Sequence, residues 1–291
     1  MKAPTSLILI SSLALSALGS EPLEMLSESP PSETPQKFLL PKEPNYATAE
    51  RIALSKDKKV IFYSLVTGYD PGSESKIVKI DFVDGQWTPP QLVVKDYNSP
   101  ALSPDESMLY IEGKNSKDAW YLEKRGSAWS SPQKFFSIES EHHYLVESNR
   151  ENYFYSTLSN SKASIREFYT VPSSSPADEP QALRLAAYSY FPRDFYISPA
   201  EDFLITQVAS DDDPETKEVA IYFKRGDGHW SKPITLGGGI RNIPGSWKWG
   251  FYISTDQKYF FVTSGNDISD THIYWCLFKP MLDKAEATLR Q

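Results

Sequence analysis

A pattern that returns five times along the chain restricts the architecture more than any other property of the sequence. An apolar residue and a Ser, then often Pro or Asp, precede a short apolar and aromatic run. The copies are Leu54-Ser55-Lys56-Asp57 before VIFYSL, Leu102-Ser103-Pro104-Asp105 before MLYIEG, Ile197-Ser198-Pro199 before FLITQV and Ile253-Ser254-Thr255-Asp256 before YFFVTS, with a degenerate one, Val146-Glu147-Ser148-Asn149, before YFYSTL. Anchors at 55, 103, 147, 198 and 254 give steps of 48, 44, 51 and 56 residues. Self-similarity at this period marks a unit that buries its apolar faces only by packing against copies of itself.

Each copy continues with a second run of β-branched and aromatic residues alternating with polar ones: KIVKIDFV, DAWYLEKR, SIREFYTV, EVAIYFKR and THIYWCLF. Such runs read as strands. A Trp-x-x-Pro element then recurs at Trp87 to Pro90, Trp129 to Pro132 and Trp230 to Pro233, and the spacing places these Trp residues on an outermost strand. Each unit is thus a four-stranded antiparallel blade. The last copy lacks an outer strand, but Pro35-Gln36-Lys37-Phe38-Leu39-Leu40 nearly duplicates Pro132-Gln133-Lys134-Phe135-Phe136. A strand lent from the N-terminus to the last blade closes a ring and hides its edges. The expected fold is an all-β, five-bladed β-propeller over residues 35–279, with six blades as the alternative if the 56-residue step conceals a further unit. Residues 1–19 read as an export signal, with Lys2 ahead of an apolar stretch and small residues at its end. Residues 20–34, rich in Ser, Glu and Pro, read as a disordered tether, and residues 280–291 as a C-terminal tail.

The Ser-Pro-Asp turn, the aromatic strand after it, the run at Asp118 to Tyr121 and the Trp-x-x-Pro element resemble the WD-like repeats of TolB-type exported propellers. Lys58, Glu106 and Gln257 stand where that repeat usually has Gly. The resemblance implies an exported propeller and specifies blades rather than chemistry.

Net charge of −8, from 30 basic and 38 acidic residues, argues against nucleic acid as a partner, because a phosphate backbone demands clustered Lys and Arg. The single Cys276 excludes a disulfide framework and a Cys-rich metal site, and within a strand it reads as a small buried hydrophobe. No Gly-x-Ser-x-Gly elbow appears, and no cofactor motif. Asp57, Asp105 and Asp256 suit tight turns. Asp211, Asp212, Asp213 and Glu215 lack the spacing and Gly of a calcium loop, and Arg225-Gly226-Asp227 falls where a hairpin needs a turn.

Aligning the copies on their anchors locates the mouth of the central channel. Residues one and three positions before each anchor are apolar and are expected at blade interfaces. Four and five positions before it stand Arg51 and Glu50, Ser99 and Asn98, His143 and His142, Asp194 and Arg193, and Gly250 and Trp249. With Arg241 and Trp247 nearby, Glu50, Arg51, Asn98, His142, His143, Arg193, Asp194, Arg241, Trp247 and Trp249 form the candidate ligand ring, in which aromatic faces stack and polar groups orient. Two functions follow as expectations. One is an exported, monomeric, non-catalytic module without a membrane anchor, metal or cofactor, holding a protein, peptide or glycan. The other is a carbohydrate-active enzyme that uses Glu50, Glu141 and Asp194 as channel carboxylates.

Overall fold

The computed structural model describes residues 21–70, 72–113, 117–137, 142–158, 166–176, 178, 180–183, 185, 194–209 and 217–290. The export signal, Glu141, Arg193 and the acidic loop at 211–215 lie outside these residues, as does the side chain of His142. Five antiparallel sheets form a ring, as the repeat implies. Blade 1 comprises Thr48–Leu54, Val60–Val66, Ser75–Val83 and Gln91–Lys95, and blade 2 Tyr97–Leu102, Met108–Gly113, Asp118–Arg125 and Gln133–Ser137. Blade 3 comprises His142–Glu147, Asn152–Leu158, Arg166–Pro172 and Gln181–Ala182, and blade 4 Phe195–Ile197, Phe203–Ala209, Lys217–Phe223 and Ile234–Thr235. Blade 5 takes Trp247–Ile253, Tyr259–Gly265 and His272–Leu277 from the end of the chain and Gln36–Lys37 from its beginning.

That closure is the one read from the Pro-Gln duplication. Gln36 pairs with Trp275 and Lys37 with Tyr274, and the Phe38 N–H donates to the Ile273 carbonyl at 2.8 Å. Phe38 and Leu40 are buried while Leu39 between them is exposed, the alternation of a strand with one covered face. The Phe38 ring packs 5.1 Å from both Phe261 and Trp275.

Period-two alternation gives every blade two apolar faces, so the core divides into five clusters, one at each blade interface. Ile61, Tyr63 and Leu65 face blade 5, whereas Phe62 between them faces blade 2. Trp87, Trp129 and Trp230 pack into three of these interfaces, toward the preceding blade in each case. They do not lie on the outer strands, however. Trp87 and Trp129 sit on two-residue strands, Gln86–Trp87 and Ala128–Trp129, that fold back on the third strand, and Trp230 makes a single bridge to Lys224. The bulky ring fills the interface at the hairpin, and the Pro that follows releases the chain to begin the outer strand.

The anchor turns share one hydrogen-bond plan. Ser55 Oγ donates to Asp57 Oδ1, which accepts the Lys59 N–H, and Ser103–Asp105 and Ser254–Asp256 repeat it. Lys58, Glu106 and Gln257, in the place of the usual Gly, are held at φ of 58°, 62° and 55°. The Arg225-Gly226-Asp227 segment is a hairpin turn, its Asp accepting the His229 N–H.

Two expected chain ends are corrected. Residues 21–34 are not a free tether: Pro22–Leu26 is a 3-10 helix whose Leu23 and Leu26 are buried between blades 5 and 1. The Pro22 carbonyl accepts the Trp87 indole N–H, and Glu21 meets Lys58, Lys258 and Tyr259. Ser, Glu and Pro dominate the segment, but two Leu residues three apart on one short helix suffice to dock it. The tail is likewise an α-helix, Lys279–Leu289, with Met281, Leu282 and Ala285 buried on blades 4 and 5. Among the described residues no helix is long and apolar enough to cross a membrane.

Candidate functional site

Four of the five innermost strands carry a bulge at the position that the alignment of copies singled out. Register shifts fall between Glu50 and Ile52, Asn98 and Ala101, His143 and Val146, and Trp249 and Tyr252. Arg51, Ser99, Tyr144 and Gly250 take positive φ there, of 48°, 55°, 64° and 61°. A bulge with one left-handed residue bends a strand and re-aims its side chains. Here it turns residues of four blades toward the channel axis. A Cβ at Gly250 would stand 2.8 Å from Arg51 Cγ, so glycine is what lets the arginine pass.

The result is a crossbar. Arg51 from blade 1 reaches over the channel to Asp194, which lies immediately before the innermost strand of blade 4, with Nε 3.0 Å from Oδ2 and Nη2 3.2 Å from Oδ1. Its Nη1 donates to Ser99 Oγ at 2.9 Å, and the Gly250 N–H donates to Asp194 Oδ2 at 2.9 Å. Ser99 in turn donates to Glu112 Oε2 at 3.0 Å, and the other oxygen of Glu112 contacts His143 Nδ1. The Asp194 side chain has no solvent exposure and that of Arg51 has 13%. Burial works against the guanidinium charge, but Asp194, Glu50 and Glu112 outweigh it and hold the Arg51 pKa above its ordinary value.

The crossbar separates two chambers. Above it lies the mouth, about 520 Å3, walled by Tyr69, Trp247 and Trp249 and set with Glu50, Asn98, Glu112, His143, Gln207 and Lys248. Glu50 Oε2 accepts from both the Tyr69 hydroxyl at 2.9 Å and the Trp249 indole N–H at 3.0 Å, so both rings are fixed by one carboxylate. Their ring centroids lie 6.0 Å apart, edge to face. Trp247 is 40% exposed, with Lys217 Nζ 3.3 Å from its ring centre. Burial depresses the Lys248 pKa.

Below it lies a chamber of about 360 Å3 opening toward the anchor turns. Its walls include Leu54, Leu102, Val146, Ile197 and Ile253, residues expected solely at blade interfaces. These apolar residues therefore line the channel as well as the interfaces.

Of the candidate ligand ring, the structure brings Glu50, Arg51, Asn98, His143, Trp247 and Trp249 to the mouth. Asp194 lies beneath it, consumed by the crossbar. Arg241 does not reach it: it pairs with Glu218 beside a separate small depression. Glu112, Tyr69 and Gln207 were missed. They sit at the ends of second strands or in the hairpins after them, and because hairpins alternate direction, these return to the same end of the channel as the segments that lead into the innermost strands. Among the described residues no cluster of His, Cys, Asp and Glu is arranged to hold a metal.

No protein-family model matches the chain, and no curated protein is similar to it in sequence. Solved structures resemble it in fold. TolB from Acinetobacter baumannii is 10% identical with a TM-score of 0.51, over 78% of this chain and 54% of its own, so this chain spans about half of TolB. A GH62 hydrolase in complex with xylotriose is 12% identical, TM-score 0.51, over 88% of this chain and 99% of its own. The Podospora anserina α-L-arabinofuranosidase PaAbf62A in complex with cellotriose is 11% identical, TM-score 0.52, over 84% and 94%. At such identity the likeness is one of fold. The chain is a five-bladed β-propeller.

Proposed function

We propose that this protein is an exported, TolB-like binding module that holds a glycan at the channel mouth without transforming it. The observation that carries the reading is the mouth itself: aromatic rings of Tyr69, Trp247 and Trp249 beside Glu50, Asn98, Glu112, His143 and Gln207. Sugars present apolar ring faces and a rim of hydroxyls, so stacking surfaces interspersed with fixed acceptors and donors are what a glycan requires. Export rests on the apolar segment at residues 7–18.

A carbohydrate-active enzyme is the second reading, and its chemistry would fall to the acids of the channel. Asp194 is engaged by two guanidinium nitrogens and a backbone N–H, so both of its carboxylate oxygens are already taken by the crossbar. Glu50 and Glu112 both line the mouth and are the pair that hydrolysis would use. Calorimetric titration with xylotriose and cellotriose tests binding, and reducing-sugar release tests turnover. The module reading expects saturable binding lost in Trp249→Ala, with no sugar released. Release that disappears in Glu50→Gln would replace it with the enzyme. Absence of glycan binding, with a basic peptide bound instead at these acids, would overturn both.

A further inference from the structure

The lower chamber is a second place where a ligand can be held, chemically unlike the mouth. Its walls are mainly apolar: Leu54, Pro100, Ala101, Leu102, Val146 and Ile253 among them. It shares no lining residue with the mouth, its Tyr144 ring lies 5.8 Å from the Arg51 guanidinium of the crossbar, and its opening faces the anchor turns on the other end of the propeller. At about 360 Å3 it falls within the roughly 300–1,000 Å3 typical of small-molecule sites.

Polar residues gather at its rim, Lys56, Ser103, Glu106, Glu147, Asn149 and Thr255, and two tyrosine hydroxyls are set apart from the rest. Tyr144 and Tyr196 both line the chamber, and among the described residues neither hydroxyl has a hydrogen-bond partner. Tyr144 is 4% exposed. The third tyrosine of the chamber differs: Tyr252 is occupied, its hydroxyl bonded to the backbone of Leu54 and bridging blades 5 and 1. Burial raises the pKa of both unpartnered hydroxyls, so each keeps its proton and is a donor in need of an acceptor. Charge selects further. The rim sets Glu106 and Glu147 against Lys56, so its two carboxylates outnumber its cation and disfavour an anion.

We infer that the lower chamber binds a neutral, largely apolar small molecule bearing a carbonyl, which accepts hydrogen bonds from Tyr144 and Tyr196 while its hydrocarbon body fills the space between the five innermost strands. The inference is independent of the glycan reading, since the crossbar keeps the two chambers apart.

The test uses the purified protein and a neutral naphthyl ketone dye whose emission moves to the blue in apolar surroundings. Saturable blue-shifted emission at one dye per chain is expected. Tyr196→Phe and Tyr144→Phe, which remove only a hydroxyl, should each weaken binding roughly three- to tenfold. Ala101→Phe, which fills the chamber from a half-buried wall position, should abolish it with an unchanged circular dichroism spectrum. Trp249→Ala at the mouth should leave it unaltered. Emission that does not saturate, binding that is indifferent to both hydroxyls, or binding lost in Trp249→Ala and kept in Ala101→Phe would each overturn the assignment.

Discussion

Cutting the crossbar should cost the propeller much of its stability, and more than the loss of two hydrogen bonds alone. Arg51 and Asp194 are joined by two charged contacts of 3.0 and 3.2 Å, with 13% and no side-chain exposure, across two blades far apart in sequence. Removing one member strands the other charge in a place that water scarcely reaches, a loss of about 3–5 kcal/mol for buried pairs in general. Arg51→Met leaves Asp194 with the Gly250 N–H, and Asp194→Leu leaves Arg51 with Ser99 and the more distant Glu50, whose oxygen is 3.6 Å away. Each single variant should therefore fall by about 3–5 kcal/mol in urea unfolding followed by tryptophan fluorescence. The double variant puts apolar groups in both places and leaves no stranded charge, so it should be more stable than either single one. A coupling of at least about 2 kcal/mol in the double-mutant cycle is the expected result. Additive effects, or single losses below about 1 kcal/mol, would show that solvent compensates the charges and that the crossbar does not tie the blades together.

The borrowed strand yields a second expectation: Phe38→Ala should lower stability by about 3–5 kcal/mol, because its ring is buried against Phe261 and Trp275 where the propeller closes, and an unchanged melting temperature would contradict closure. A third concerns acid. The Ser107 backbone N–H and the hydroxyls of Ser103 and Ser107 hold the Asp105 pKa down at about 2, so the turn contributes stability that is complete above the ordinary value of 3.8 and is lost as pH falls toward 2. An NMR titration should find that low value in the native protein and a higher one in Ser103→Ala; the same value in both would show that the Ser103–Asp105 bond is not what retains the charge.

The order of blades, their number and the donor of the closing strand were legible in the residues, because each rests on local rules. A turn of Ser and Asp, alternation at period two and a duplicated Pro-Gln strand act over a few neighbours and recur with every copy, so five weak signals reinforce one another. Symmetry even carried the reading to the channel, where Arg51, Glu50, Asn98, His143 and Trp249 stand as the alignment of copies placed them. What it could not carry was anything that depends on which members of that ring meet. The crossbar needs a bulge in each of four strands, a glycine at 250 to make room and an aspartate 143 residues away to receive the guanidinium. No short stretch of sequence encodes such a meeting. The docking of Leu23 and Leu26, the helix at Lys279–Leu289 and the apolar lower chamber belong to the same category. Each is decided by a surface that exists only after the ring has closed, and the free energy of covering that surface is a property of the assembled fold.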